Sequence, residues 1–358
     1  AAWAIARRSD WWREIERRLD DPQWDKVVDL FSGCVFEAGG RDRVDDLIEK
    51  ILDRGEGEGL RREAETLVHL ERVLAPMDAY EYREEPALVI RQKALAERVM
   101  AIFTKEGALQ VPVKTRIAAA EVIGRWGDPR LAEGLDNFIE IPGTELSLGK
   151  FPVTVVEYGR FIAASGYQNS RYWDKDGAAW RTKHKRLSSW EWEDQQEHPN
   201  RPVVGVSWHE ARAYCRWLSE GLDGGGRARL PTAAEWEHAA TPKTGEYPWG
   251  TDQDAGNKQL SDEDLAEQFA NFKNSLGAPS PVGVYPAGAG PHGHLDLAGN
   301  VWEWCEDGDA KDRRWITGGS YYDDNRGALA AAYRAWGWSG LGNFDIGGFR
   351  VVVAREPD

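Results

Sequence analysis

Residues 295–304 read LDLAGNVWEW, and two Gly-rich stretches lie downstream, GGSYY (318–322) and GGFRVV (347–352). Trp302 and Trp304 are large, rigid side chains that can anchor a core lacking long regular elements. Short strands are expected near 316–320 and 348–354. Between Gly318-Gly319-Ser320 and Gly348-Phe349-Arg350 lies YYDDNRGALAAAYRAWGWSGLGNFDIG (321–347). It contains no Lys, Glu, Gln or Met, although the chain around it is rich in Lys and Glu. Tyr and Trp offer rigid contact area, Gly, Ser and Ala offer adaptability, and Asp and Asn offer hydrogen bonds, which together is the composition of a binding surface. It is also what remains when many codons end in a pyrimidine, since such codons cannot encode Lys, Glu, Gln, Met or Trp. Trp336 and Trp338 break that pattern and need other codons.

Upstream of this core the texture is the same back to residue 137. The run 138–154, FIEIPGTELSLGKFPVT, alternates like a strand pair. Two amphipathic helices are expected next, over 155–166 and 208–222, the second with Ser207 as its N-cap. Trp208, Trp217, Trp236 and Trp249 add further anchors, each better explained by core packing than by ligand contact. Residues 1–136 read differently. Apolar residues recur at helical spacing over 11–19, 23–33, 43–54, 60–75, 87–103 and 113–127, with Pro76, Pro86 and Pro112 between them. The expected architecture is α+β: an all-α helical-repeat domain (1–136) before a second domain (137–358).

The net charge of −15 argues against a nucleic-acid footprint or attraction to anionic lipid. Three widely spaced cysteines, Cys34, Cys215 and Cys305, form no CxxC pair, as expected for reduced thiols in a cytoplasmic protein. No stretch approaches the roughly 20 apolar residues of a membrane span. The first residues are amphipathic and acidic rather than signal-peptide-like, and no initiator Met is present, so a fragment of a longer protein is expected. No G-x-x-x-x-G-K-[ST] phosphate loop occurs.

Eight ordered blocks resemble the formylglycine-generating-enzyme-like branch of the C-type lectin fold. They are FPVTVVEYGRFIAASGY, RPVVGVSWHEARAYCRWLSE, RARLPTAAEWEHAA, YPWG, FANF, LDLAGNVWEW, GGSYY and GGFRVV. The family's enzymes use paired cysteines after Gly-Gly-Ser, where this chain carries Asp323 and Ala328. The resemblance therefore implies the fold without formylglycine synthesis. Iron-dependent sulfoxide synthases also join a helical domain to such a module and use a histidine cluster from it. Residues 1–136 hold only His69. The unit KTRIAAAEVIGRWGDPRL resembles a HEAT-type repeat, and the helices before it resemble the region following the ATPase in NACHT-type signalling proteins.

The segment between Gly-Gly-Ser and Gly-Phe-Arg is similar to that of variable proteins of diversity-generating retroelements, in which adenine-directed mutagenesis scatters residue types. Positions compatible with that process are Tyr322, Asp323, Asp324, Gly327, Ala335, Gly337, Ser339, Gly340, Gly342, Phe344 and Ile346. Arg334, Trp336 and Asp345 look like retained framework. Tyr321, Tyr322, Tyr333, Trp336, Trp338 and Phe344 would supply aromatic contact. The resemblance also implies a structural Ca²⁺ held by Asp296 and Glu303 carboxylates and by Gly299 and Val301 carbonyls. Alternatively, Asp296 caps the turn and Glu303 bonds loop amides. The implied function is non-catalytic recognition of a protein or peptide, joined to an upstream ATPase or effector module. An oxidoreductase with an unrecognised active site is the alternative, and a structural interaction domain of fixed sequence is a third.

Overall fold

Helical spacing across the first third of the sequence produces helices there, and most of their limits follow the apolar pattern. A computed structural model describes residues 1–132, 136–222, 226–243, 245–251, 260–310, 312–340 and 346–354. The chain divides into two compact units, Ala1–Ile123 and Gly124–Asp358. The first contains α1 (Ala2–Ala6), α2 (Trp11–Glu16), α3 (Asp25–Asp29), α4 (Phe31–Gly39), α5 (Arg41–Gly55), α6 (Leu60–Leu74), α7 (Pro86–Val99), α8 (Lys105–Ala108) and most of α9 (Val113–Gly127). α5 buries Val44, Leu47, Ile48, Ile51 and Leu52, one continuous stripe, and packs on α4 and α6. Gly40, at φ +70°, makes the sharp turn from α4 into α5, a conformation that favours a residue without Cβ. The expected helix over 23–33 is divided between α3 and α4, and that over 87–103 ends as a 3₁₀ turn at Met100–Phe103.

The second unit begins before the change of texture at residue 136. Asp128 and Arg130 pair at 2.6 Å, and the Arg130 guanidinium donates to the Val282 carbonyl at 2.9 Å, so residues 128–130 pack with the β-containing unit. Among the described residues, two four-stranded sheets form the β part. One has the order β1 (Phe138–Glu140), β2 (Leu146–Gly149), β8 (Val352–Ala354), β3 (Arg227–Arg229). The other has β6 (Arg334–Trp338), β5 (Arg313–Thr317), β4 (Trp302–Trp304), β7 (Gly347–Gly348). The expected strand pair is β1–β2, antiparallel with Ile139 opposite Leu148. The architecture is α+β.

The two expected helices are α10 (Val155–Ala163) and α13 (Trp208–Glu220). Ser207 caps α13 reciprocally: its hydroxyl accepts from the Glu210 N–H at 3.2 Å, and its own N–H donates to the Glu210 carboxylate at 2.7 Å. Between and beyond them lie α11 (Lys175–His184), α12 (Trp192–Gln195), α14 (Ala233–Ala240) and α15 (Asp262–Gln268), in stretches whose sequence reads as loop. Three of these short helices are held by caps at Asp174, Thr232 and Ser261 rather than by a strong apolar stripe. The core is aromatic. Tyr158 and Tyr214 stack at 5.7 Å, Phe349 meets both edge-on, and Trp236 and Trp304 are fully enclosed.

Candidate functional site

The segment 321–347 is strand as well as loop. β6 pairs antiparallel with β5, setting Trp336 opposite Trp315, Trp338 opposite Arg313 and Arg334 opposite Thr317. Period-2 alternation then sorts the side chains: Arg334, Trp336 and Trp338 face solvent while Ala335 and Gly337 turn inward. Trp336 and Trp338 meet edge-to-face at 5.9 Å, and Arg313 lies over the Trp336 ring at 4.9 Å. With Tyr322 and Tyr333 they are the exposed large aromatics among the described residues of the segment, at 63, 41, 48 and 51% for Tyr322, Tyr333, Trp336 and Trp338. Asp324 is also exposed.

Other residues of the expected surface are framework. The Asp323 carboxylate accepts from the Ser320 N–H at 2.8 Å and from the Ser320 hydroxyl at 2.6 Å, pinning the turn after Gly-Gly-Ser. Gly337 is buried, and a Cβ built there would lie 2.6 Å from the Trp304 ring, so no larger residue fits without a shift. Ser339 is buried, its N–H donating to the Asp312 carbonyl at 2.8 Å. Gly340 offers its carbonyl to the Trp180 indole at 2.9 Å. Ile346 packs on the core, and Ala335 does so from the inner face of β6. Gly327 lies in the 3₁₀ turn Arg326–Leu329, its N–H donating to the capping Asn325 side chain at 2.9 Å. Tyr321 is buried. Gly342, Phe344 and Asp345 lie outside the described residues. Arg334, read as framework, is exposed and pairs with Glu237 at 2.6 Å. Trp336, also read as framework, is among the most exposed aromatics. Trp315 and Arg313 belong to the same face but precede the segment. The alternation of RRWIT against RAWGW is the signal that would have found them.

The Asn-Val-Trp-Glu-Trp block is closed by an arginine. Arg350, wholly buried, pairs with Glu303 at 2.9 Å and donates to the carbonyls of Gly149 (2.8 Å), Lys150 (2.7 Å) and Leu295 (2.8 Å). The Trp236 indole donates to the other Glu303 oxygen at 2.7 Å. Asp296, at φ +57°, accepts from the Gly283 N–H at 2.7 Å, and burial pushes its carboxyl up to about 6. Of the four residues expected to hold calcium, Glu303 is a poor fit for that ion. Both Glu303 oxygens already have donors, and a divalent cation there would face a buried guanidinium. Glu303 instead bonds side chains, neither of them a loop amide, whereas Asp296 does bond the loop amide of Gly283. Among the described residues no group of three or more His, Cys, Asp or Glu stands together to hold a metal ion.

Cys215 and Cys305 are buried, and burial raises both thiols well above their ordinary range, which disfavours the thiolate. Ala328 is buried. His292 and His294 lie 6.5 Å apart by ring centre, and burial holds the His294 imidazole down to about 3.

Residues 137–355 match the sulfatase-modifying factor enzyme 1-like domain. The chain belongs to that family. The chain is 34% identical over 184 residues to hercynine oxygenase of Mycobacterium tuberculosis, covering 47% of this chain and 38% of that protein. It is 38% identical over 138 residues to formylglycine-generating enzyme of the same organism, covering 37% of this chain and 41% of the enzyme. The sulfatase-modifying factor-like chain thus spans about two-fifths of the length of these curated relatives. Among solved structures, Treponema denticola variable protein 1 aligns with a TM-score of 0.41 and 22% identity, over 59% of this chain and 84% of that one. No helix among the described residues is long and apolar enough to cross a membrane.

Proposed function

We propose that the sulfatase-modifying factor-like domain acts as a non-catalytic recognition module whose binding surface is the solvent face of 321–347. The observation that supports this is the arrangement of Tyr322, Tyr333, Trp336 and Trp338. These side chains are exposed, while Asp323, Gly337 and Ser339 of the same segment are held inward. Aromatic side chains fixed on a rigid scaffold give contact area at low ordering cost. The positions that catalytic cysteines occupy in the family's enzymes carry Asp323 and Ala328, which supply no thiolate. A protein or peptide ligand suits such a surface. The absence of Lys, Glu, Gln and Met from the segment supports diversification at its exposed positions. The helical unit would couple the surface to an upstream ATPase or effector module.

The test is selection of displayed peptides against the full chain. Binders are expected to lose at least about tenfold in affinity when Trp336 and Trp338 are both changed to Ala, with the melting temperature kept. Binders indifferent to all four exposed aromatics would remove the proposal. Comparison of the codons for 321–347 with neighbouring DNA tests diversification separately, since it requires a non-coding copy differing at adenines. A second reading, an oxidoreductase with another active site, is favoured by the identity to hercynine oxygenase and formylglycine-generating enzyme. Dioxygen uptake by the purified chain with a cysteine thiol and iron or copper, in excess of that by the same metal and thiol without protein, would establish it.

A further inference from the structure

The main chain of β6 is as informative as its side chains. In an antiparallel pair, opposed residues alternate between exchanging hydrogen bonds and pointing their N–H and C=O groups apart. Trp315 directs its N–H to the Asp307 carbonyl at 3.0 Å and accepts from the Cys305 N–H at 2.9 Å, so its polar groups face β4. Trp336, its partner in register, therefore points its own N–H and C=O away from β5. Arg334 and Trp338, two residues to either side, do the same. Ser339, in the opposite phase, donates inward to Asp312. Among the described residues no main-chain partner meets the outward groups of Trp336 or Trp338, and β6 is the last strand of its sheet. Apart from the charge of Arg334, this edge strand has no proline, bulge or lysine of the kind that prevents strand addition, and it carries two exposed tryptophans.

We propose that β6 is a docking edge for an extended, basic peptide segment of another protein, which adds as a fifth strand beside Arg334–Trp338. This deepens the recognition reading of 321–347 and rests on it. The outward N–H and C=O groups of Arg334, Trp336 and Trp338 bond the peptide main chain, and alternate peptide side chains fall on the tryptophan face. That face already accepts a cation, since Arg313 stacks over Trp336 at 4.9 Å. No cation lies over the exposed Trp338 ring among the described residues, so a peptide Lys or Arg can stack there. Charge favours the same partner. Arg313 and Arg334 are each paired with a carboxylate at 2.6 Å, Asp309 and Glu237 respectively. The exposed Asp312, beside the end of the strand, has no salt bridge among the described residues, and the chain carries −15 overall. That charge attracts a basic segment to the chain and repels an acidic one.

End-blocked octapeptides alternating valine with lysine, serine or glutamate, labelled for fluorescence anisotropy, test this on the full chain. The lysine peptide is expected to bind about tenfold more tightly than the serine one, to weaken with salt, and to exceed the glutamate one by more. N-methylation of one set of alternate peptide residues removes main-chain bonding at the docking edge. The lysine peptide should lose at least about tenfold from one methylated set and less than about twofold from the other. Equal effects from both sets, a preference for glutamate, or no binding by any peptide overturns the proposal. Display-selected peptides that need Trp336 and Trp338 but ignore N-methylation overturn strand addition and leave the recognition surface standing. Binding unaffected by Trp336→Ala and Trp338→Ala together overturns both. A concentration-dependent dimer in sedimentation that competes with the lysine peptide makes a second copy of this chain the occupant, and also overturns the proposal.

Discussion

Glu303 and Trp336 stand two strands apart in the same sheet, on β4 and β6, and their surroundings differ in kind. Around Glu303, opposite charges face each other in the interior: Arg350 pairs with the carboxylate and donates also to four carbonyls, and the Trp236 indole completes the set. Around Trp336, aromatic faces and the outer main-chain groups meet solvent. The two regions even share residues of one kind, since Trp304 is enclosed where Trp338 is half-exposed. Residue type therefore says little here about role; register does. Moving one position along β6, from Trp336 to Gly337, passes from a surface side chain to a site with no room for a methyl group.

The contrast can be broken most severely at the closed end. Arg350→Ala leaves the Glu303 carboxylate buried without its cation, and is expected to cost about 3–5 kcal/mol in denaturant unfolding. An effect below about 1 kcal/mol would mean the pair is not the clasp described. Next comes pH. The folded protein holds a proton on Asp296 more tightly than the unfolded chain does, so this group favours folding at low pH and loses that contribution as pH rises through about 6. Asp296→Asn keeps an acceptor for the Gly283 N–H and removes the titration. Relative to the parent, its stability should rise by about 3 kcal/mol between about pH 4 and 7, at about 1.4 kcal/mol per unit. A flat difference across that window counts against the buried carboxyl, which faces Arg350, Arg130 and Glu303.

Within β6 itself, Gly337→Ala pushes a methyl into the Trp304 ring and should cost about 1–3 kcal/mol by chemical denaturation. Its neighbour Trp338→Ala should stay within about 0.5 kcal/mol of the parent, as surface substitutions do. If these two effects were reversed, the assigned register would be wrong. Smallest of all, calcium or EDTA should not move the melting temperature by a measurable amount. A calcium-dependent rise would show that the Glu303 clasp opens to admit an ion.

Much of this was legible in the residues. The order of the aromatic blocks carries the family, Ser207 with Glu210 announces the start of α13, and the alternation over 138–154 announces β1 and β2. The helices α11, α14 and α15 were not legible, because each is short and rests on a cap instead of a long apolar stripe. In the segment itself, composition marked a surface but could not separate its two sides. A glycine kept small by Trp304 and a glycine that merely permits adaptation are identical in sequence. Asp323 likewise looks like a polar contact until its bonds to Ser320 are seen. Glu303, a carboxylate near a Gly turn, looks like a calcium ligand because its partner Arg350 is remote in sequence.

The attachment of the segment has a consequence for what can be exchanged. The Tyr321 N–H donates to the Asn300 carbonyl at 2.9 Å, and the Ile346 carbonyl accepts from the Trp302 N–H at 2.8 Å. The whole excursion therefore leaves and rejoins the scaffold on residues two positions apart in one block. Between those two ends β6 is held along β5. The entropy of closing such a loop grows only by about 0.6 kcal/mol for each doubling of its length. Replacement segments that keep both end bonds, Asp323, Gly337 and the pairing of β6 on β5 can thus differ in loop length as well as in sequence, which gives a recognition repertoire a second dimension beyond side-chain identity.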